Sequence, residues 1–245
     1  MEGFIDLHCH MLPGADDGAR DEQAAFSMLD AAHRDGIRSI CFTPHCNPYI
    51  RPIDAIDLRA VYNRFSLAAK ERYPDMRFAL GSEIMFYDDC VEDIRKGLCF
   101  PLCGGKYLLL EFPVDIEYSE MTRAIGRILS YGYRVMLAHA ERYLCLLKRP
   151  KLVTALSGEE VLIQLNASLF QKHGAVTGFR KQHFLSTVLS AHIPFVVCTD
   201  AHNVESRAPI MSDAYRFICK KTSPLAARQI FIDIPNRLFD AQEPF

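Results

Sequence analysis

The chain has 245 residues, 49% hydrophobic and 24% charged, with a formal charge of −2 and a pI near 6.5. That size and apolar content are enough for a sizeable core, expected as a single domain over residues 1–245, and the charge balance leaves no global basic field for nucleic acid. No signal peptide, lipidation signal or apolar run of roughly 18 residues stands out, so a cytoplasmic protein without direct membrane insertion is expected.

Apolar, strand-like runs recur along the chain, and nearly every one stops at a residue type that binds metal or phosphate. Phe4-Ile5-Asp6-Leu7 leads to His8 and His10. Residues i and i+2 of a strand point to one face, so both imidazoles can meet one metal while Cys9 turns away. In the Met11 to Gly18 stretch that follows, Gly14 and Gly18 permit a tight loop that carries Asp16 and Asp17 back over the strand ends. A helix is expected from Asp21 to Asp35, with Ala25, Met28, Leu29 and Ala32 on one face and Gly36 as its stop. Ser39 to Pro44 then delivers His45.

A second helix, Asp54 to Arg72, turns Ile56, Val61, Phe65 and Ala68 inward. Phe78 to Ser82 reaches Glu83, and Tyr107 to Leu110 reaches Glu111. Ser119 is placed to cap a helix bearing Ile125, Ile128 and Leu129 that stops at Gly132. Val135 to Ala138 runs into His139. Phe179, Phe184, Val188 and Leu189 mark a further helix ended by Pro194, after which Phe195 to Thr199 delivers Asp200 and His202. The last helices are expected at Arg207 to Lys221 and Pro224 to Phe231, the latter with Ser223 as N-cap and Pro224 at its first position.

Strands alternating with helices at this spacing give an α/β fold with a parallel sheet, and about seven units give a barrel short of the usual eight. A lone His139 is ordinarily a satisfied core histidine, and a lone Glu83 or Glu111 an N-cap or surface charge. Recurrence at corresponding strand ends outweighs those readings, because a parallel barrel brings all such ends to one face. Nine cysteines, an odd number, fit a reduced thiol set. Cys99 and Cys103 lack the second pair that a zinc knuckle requires. No cysteine is followed by arginine six positions on, no Asp-x-Asp closes a strand, and Gly104-Gly105 lacks the Lys-Ser/Thr of a phosphate loop. Thiolate, aspartyl-phosphate and nucleotide-loop chemistries are thereby set aside.

Longer motifs carry a resemblance. Asp6-Leu7-His8-Cys9-His10 through Asp16-Asp17-Gly18-Ala19, Thr43-Pro44-His45, Gly81-Ser82-Glu83-Ile84, Leu110-Glu111-Phe112-Pro113, Ala138 to Tyr143, Gln164-Leu165-Asn166-Ala167-Ser168 and Thr199 to Asn203 span almost the whole chain in order. The chain resembles the polymerase-and-histidinol-phosphatase (PHP) superfamily, and within it the bacterial metal-dependent protein-tyrosine phosphatases of capsule and exopolysaccharide systems. The resemblance implies a distorted seven-stranded (β/α)7 TIM-like barrel holding three divalent ions, manganese foremost with iron or zinc as alternatives. It makes His8, His10, His45, Glu83, Glu111, His139, Asp200 and His202 the metal ligands, Arg142 and Arg207 phosphate-facing residues, and Asp17 a proton donor or orienting group. Cys46, where relatives often carry a second histidine, and Ala140, where proline is common, depart from the pattern.

The implied reaction is phosphotyrosine hydrolysis without a covalent enzyme intermediate, by a hydroxide bridging two metals. Three divalent ions against Glu83, Glu111, Asp200 and one hydroxide leave a charge near +2, which suits a dianionic phosphate. The implied partner is the phosphotyrosine tail of a bacterial tyrosine kinase. A small phosphomonoester such as histidinol phosphate or a sugar phosphate, or a phosphodiester, is the alternative substrate on the same metal site. A catalytically idle metal-binding regulator is the alternative from another class.

Overall fold

The computed structural model describes residues 3–50, 52, 54, 56–170 and 175–240. Strands are β1 (Phe4–Cys9), β2 (Ile37–Phe42), β3 (His45–Cys46), β4 (Arg77–Leu80), β5 (Glu83–Met85), β6 (Tyr107–Glu111), β7 (Arg134–Leu137), β8 (Val161–Asn166) and β9 (Phe195–Cys198). Every paired neighbour is parallel, so the expected α/β class is met.

The strands form two sheets, β1-β2-β4 and β3-β5-β6-β7-β8-β9. The division falls within two expected runs. Thr43-Pro44 separates β2 from β3, and Gly81-Ser82 separates β4 from β5. A proline has no N–H for a ladder, so an interruption at Pro44 is its direct consequence. Backbone bonds nonetheless cross the breaks: Gly81 N donates to Phe42 O (2.8 Å) and Glu83 N to Pro44 O (3.1 Å). The far edges also meet, with His10 N donating to Ala201 O (2.9 Å) and Asp200 N to His8 O (2.8 Å).

Two apolar layers hold this arrangement. Ile5, Leu7, Cys41, Leu109, Met136, Leu162, Val196 and Cys198 pack together on the inner side of the strands, closed below by Leu238 and Phe239 of the last helix. Strand residues of the other parity, including Phe42, Leu108, Leu110 and Val197, pack against the helices. Alternation of the two layers along each strand is the period-two pattern that fixes which residues reach the strand ends.

The helices are α1 (Glu22–Asp35), α2 (Leu58–Arg72), α3 (Cys90–Arg95), α4 (Tyr118–Ser130), α5 (Leu144–Lys148), α6 (Lys151–Leu156), α7 (Ala175–Ala191), α8 (Ser212–Lys221), α9 (Pro224–Arg228) and α10 (Ile234–Asp240). α1 has its expected inward face, its Asp21 cap on Ala24 N and a left-handed Gly36 (φ 97°) as stop. α2 begins later than expected because Asp57, not Asp54, accepts from Ala60 N and caps it, and Ala69 rather than Ala68 is buried. α4 enters from Glu117 without a side-chain cap, so Ser119 is not its cap. On α7, Phe184 and Val188 are buried as expected, but Phe179 is 74% exposed. The segment from Arg207 is irregular until Ser212, and α9 is capped by Ser223 as expected before a π-helical turn, Gln229–Asp233, hands the chain to α10. The nine cysteines are free thiols, seven of them buried. Among the described residues, no helix is long and apolar enough to cross a membrane.

Candidate metal centre

β1 places His8 and His10 side by side, with their Nε2 atoms 3.3 Å apart. His8 Nε2 lies 3.2 Å from Glu83 Oε1 and 3.6 Å from Asp200 Oδ1, while His10 Nε2 lies 3.2 Å from Glu83 Oε2 and 3.4 Å from Asp200 Oδ1. The glycine-containing loop behind β1 returns as expected. Ala19 N donates to His10 O (2.9 Å), and a β-carbon on Gly18 would sit 1.9 Å from that oxygen, so only glycine fits.

The loop delivers Asp16. Its Oδ2 accepts from His10 Nδ1 (2.7 Å) and from His45 N (3.0 Å), and its Oδ1 from Gly18 N (3.0 Å). A carboxylate on Nδ1 keeps the proton there and turns the Nε2 lone pair inward, the usual support for a metal-binding histidine. Asp16 stands in the sequence motif without an assigned role; what shows its function is a pairing across the loop that local pattern does not display.

The remaining strand ends converge on the same place. His45 Nδ1 is 2.9 Å from Glu83 Oε2 and 3.9 Å from Glu111 Oε2. His139 Nε2 is 2.8 Å from Glu83 Oε1 and 3.4 Å from Glu111 Oε1. His202 donates Nδ1–H to Asp200 O (3.0 Å), which leaves its Nε2 facing Asp17 Oδ1 at 3.5 Å. Seven of the eight residues expected as ligands, with Asp17, fall into three groups whose donor atoms lie within 4.8 Å of one another: His8, His10 and Asp200; His45, Glu83 and Glu111; and His10, Asp17, His45 and His202; the eighth, His139, lies outside these groups and meets Glu83. Two of these residues, His139 (φ 32°) and Asp200 (φ 52°), adopt left-handed backbone that non-glycine residues rarely hold. Such strain persists where surrounding structure enforces it.

Divalent cations fit this donor set. His139 Nδ1, His202 Nε2 and Glu83 Oε2 are buried atoms without a well-directed hydrogen bond, although Glu83 Oε2 is in ion-pair range of two imidazoles. Buried polar atoms left so are costly unless an ion or water meets them. Imidazole and carboxylate together suit manganese, iron or zinc.

Without cations, protons hold the cluster. Burial works against the charged His45 ring, but Asp17 and Glu83 outweigh it and push its pKa up to about 10. His139 is raised to about 9, burial again being overcome by Glu111 and Glu83. His10 is held well above its ordinary range, against burial, by Asp16, Asp200 and Glu83. Glu83 and Asp200 are correspondingly held low despite burial, chiefly by His8 and then His10. His202 goes the other way, to about 4, through burial and its neighbours His10 and Arg207.

Arg142 and Arg207 both reach this centre, and each engages Asp200: Arg142 through Oδ2, and Arg207 Nη2 through Oδ1 at 2.7 Å. A guanidinium carries five N–H donors, so one contact leaves others for a phosphate. Asp17 is 68% exposed at the mouth, and its hydrogen bond with His45 holds its pKa low. Cys46 is buried with its thiol toward Leu98 O (3.7 Å), away from the cluster, and Ala140 is buried in a short turn, Ala140–Arg142.

A parallel α/β scaffold with histidines and carboxylates gathered at its C-terminal strand ends defines a metallohydrolase-type centre. Residues 4–240 match the family of capsular polysaccharide synthesis proteins CpsB/CapC, and the chain belongs to that family. It is 29% identical over 238 residues to the tyrosine-protein phosphatase CpsB of Streptococcus pneumoniae, covering 96% of this chain and 98% of that protein. It is 29% identical over 204 residues to the tyrosine-protein phosphatase YwqE of Bacillus subtilis, covering 83% and 79% respectively. A solved structure from work on these two metal-dependent tyrosine phosphatases superposes with a TM-score of 0.81 at 28% identity, covering 98% of this chain and 96% of the other. An inactive dihydroorotase-like domain of Chaetomium thermophilum shares the fold alone, at a TM-score of 0.58 and 14% identity.

Two outcomes follow from this geometry. Gly18→Ala should lift the loop off His10 and displace Asp16, lowering metal affinity roughly 10-fold or more; chelator competition measures it, and parental affinity would show that the loop adapts. The raised His45 and His139 stabilise the metal-free protein below their ordinary value of 6.5, and that stability should drain away as pH rises through about 9 to 10. Metal loading displaces those protons, so calorimetry at neutral pH should register proton release, and thermal melts of the loaded protein should lose the alkaline decline.

Proposed function

We propose that this chain is a metal-dependent protein-tyrosine phosphatase acting on a phosphotyrosine protein of capsule or exopolysaccharide synthesis. The observation that carries it is the convergence of His8, His10, His45, Glu83, Glu111, His139, Asp200 and His202 at one end of a parallel scaffold. The relatives' shared activity supplies the reaction. The wider reading is a single domain in which the two sheets act as one distorted seven-unit barrel, with three divalent ions, manganese first. The hydrogen bonds between the ends of β1 and β9 support the barrel, and three overlapping donor groups support the metal count. A reduced set of buried thiols favours a cytoplasmic location, and a tyrosine kinase tail is the proposed substrate.

Divalent ions in this centre supply Lewis acidity and lower the pKa of water toward neutrality. The chain's own residues do the rest. Asp16 and the carbonyl of Asp200 keep His10 and His202 protonated on Nδ1, so both rings offer Nε2 inward. Arg142 and Arg207, each 36% exposed, stand between the buried carboxylates and solvent, where a planar guanidinium can grip phosphate oxygens. Val114, Leu144 and Val204 are exposed apolar residues on the segments that follow Glu111, His139 and Asp200, and Leu144 N, at the start of α5, donates to Val114 O (2.8 Å). A rim of this kind can receive an aromatic ring whose phosphate reaches the centre. The thiols take no part: burial pushes the Cys9 and Cys198 pKa values well above the ordinary range, so neither is a ready nucleophile.

Chelator-treated protein should lose phosphatase activity and regain it with Mn²⁺. A panel of phosphotyrosine peptides, phosphoserine peptides, histidinol phosphate and a bis-aryl phosphodiester should show clear preference for phosphotyrosine. Full activity in verified metal-free protein sinks the metal reading; preference for histidinol phosphate or the diester moves the substrate elsewhere on the same centre. Arg142→Lys should keep metal content but lose roughly 10- to 10³-fold in kcat/KM, about 1.4 to 4 kcal/mol of transition-state stabilisation. Unchanged kinetics and unchanged vanadate inhibition would make Arg142 structural.

A further inference from the structure

β8 supplies none of the proposed ligands, yet it lies between β7, which runs into His139, and β9, which runs into Asp200. Its last turn of side chains is polar and wholly enclosed: Gln164 and Asn166, two residues apart on one face, are 0% and 3% exposed. A buried amide pair in an apolar sheet is costly unless every group is met. Here the two side-chain amides meet each other and residues of the metal centre.

The hydrogen-bond directions can be read without ambiguity. The His139 backbone N–H can only donate, and it donates to Gln164 Oε1 at 2.5 Å, which fixes that atom as the amide oxygen. The same oxygen faces His8 Nδ1 at 3.1 Å, so Nδ1 must carry a proton, and the neutral ring keeps its lone pair on Nε2. Nε2 is the atom that faces Glu83 and Asp200. Gln164 Nε2 then donates to Asn166 Oδ1 (2.8 Å), which leaves Asn166 Nδ2 to donate to Asp200 Oδ2 (2.8 Å). With Arg142 also on Oδ2, the oxygen that faces His8 and His10 is Oδ1, which Arg207 Nη2 meets as well (2.7 Å). Asn166 N is tied to Glu141 Oε1 (3.2 Å), a carboxyl that is itself buried.

We infer that Gln164 and Asn166 are positioning residues for the metal centre: Gln164 fixes the His8 tautomer and the strained His139 backbone, and Asn166 sets which oxygen Asp200 presents. The inference rests on the metal-binding reading of the cluster. One chain of donors, running from His8 and His139 through Gln164 and Asn166 to Asp200, orients three proposed ligands from a strand that contributes none.

The test compares the parent with Gln164→Met and Gln164→Glu. Met matches the length of glutamine and removes both polar contacts; Glu keeps the acceptor toward His8 and removes the donor toward Asn166. Gln164→Met should bind divalent ions roughly 10- to 100-fold more weakly in chelator competition, the usual effect of losing such a support. In the zinc-loaded protein, the His8 Nδ1–H resonance should be lost to solvent exchange. Gln164→Glu should restore that resonance and move it downfield, because the acceptor is now charged. Parental affinity with an intact resonance in Gln164→Met overturns the inference, as does a Glu variant of parental thermal midpoint that leaves the resonance absent or unshifted. Should Gln164→Met fail to fold, the Glu resonance decides alone. A parent that binds no divalent ion overturns the metal reading itself, an outcome distinct from either.

Discussion

Glu83 is the point on which the site turns. Its carboxylate is 1% exposed and lies within 3.2 Å of four imidazoles, those of His8, His10, His45 and His139. An unpaired carboxylate so placed would cost several kcal/mol, comparable to what two or three buried leucines contribute. The scaffold tolerates it only because three other strand ends, those of His8 and His10, of His45 and of His139, bring cationic partners or metal to the same few ångströms. The Gly81-Ser82 break between β4 and β5 matters for this reason, since it sets Glu83 at the head of a new strand paired with His45 and Leu109.

Surrounding constraints then hold the partners in place. His139 and Asp200 occupy left-handed backbone at the ends of β7 and β9. Each such residue costs on the order of 1–3 kcal/mol, and it persists when neighbouring bonds over-determine it. For His139 the bond is to Gln164, and for Asp200 it is the backbone link to His8 O and the amide of Asn166. Asp6 works below them: it accepts from Thr199 N (3.0 Å), Thr199 Oγ1 (2.5 Å) and His8 N (3.3 Å), joining β1 to β9 just beneath the proposed ligands. Burial lifts the Asp6 pKa to about 6, with those bonds pulling it back.

What the sequence displays well is whatever a strand places at its own end. His8, His10, His45, Glu83, Glu111, His139, Asp200 and His202 were legible because each follows an apolar run, and a parallel fold makes ends coincide. Asp16, Gln164 and Asn166 carry motifs but no visible role, since their meaning lies in partners such as His8, 156 residues distant from Gln164. Helix boundaries failed where two capping residues competed, as at Asp54 and Asp57. Phe179 failed differently: helical period marks it as inward, yet nothing in the period says that the turn it occupies has a neighbour to cover it. The split of the strands at Pro44 and Gly81 was written in the residues themselves, one lacking an N–H and the other lacking a Cβ that would press on Leu102 and Cys41.

Depth within the centre is graded, and the grading has chemical consequences. His8, His10, Glu83 and Asp200 lie at its floor, where low dielectric strengthens every charge interaction. Arg142 and Arg207 stand nearer solvent, to the same degree, and Asp17 nearer still. A centre rigid below and open above suits a phosphate carried on a protein, which must enter with its ring and backbone still outside. A cavity of about 1370 Å³ lies at the opposite ends of the strands. There Arg38 meets Asp75 (3.1 Å), Arg77 meets Asp240 (2.7 Å) and Arg228 meets Asp233 (3.2 Å), so three of its arginines are matched by carboxylates of the same cavity. Size therefore does not mark the reactive end. Convergent imidazole and carboxylate donors do, and among the described residues their three groups lie at the strand ends that carry His8, His45, Glu83 and Asp200.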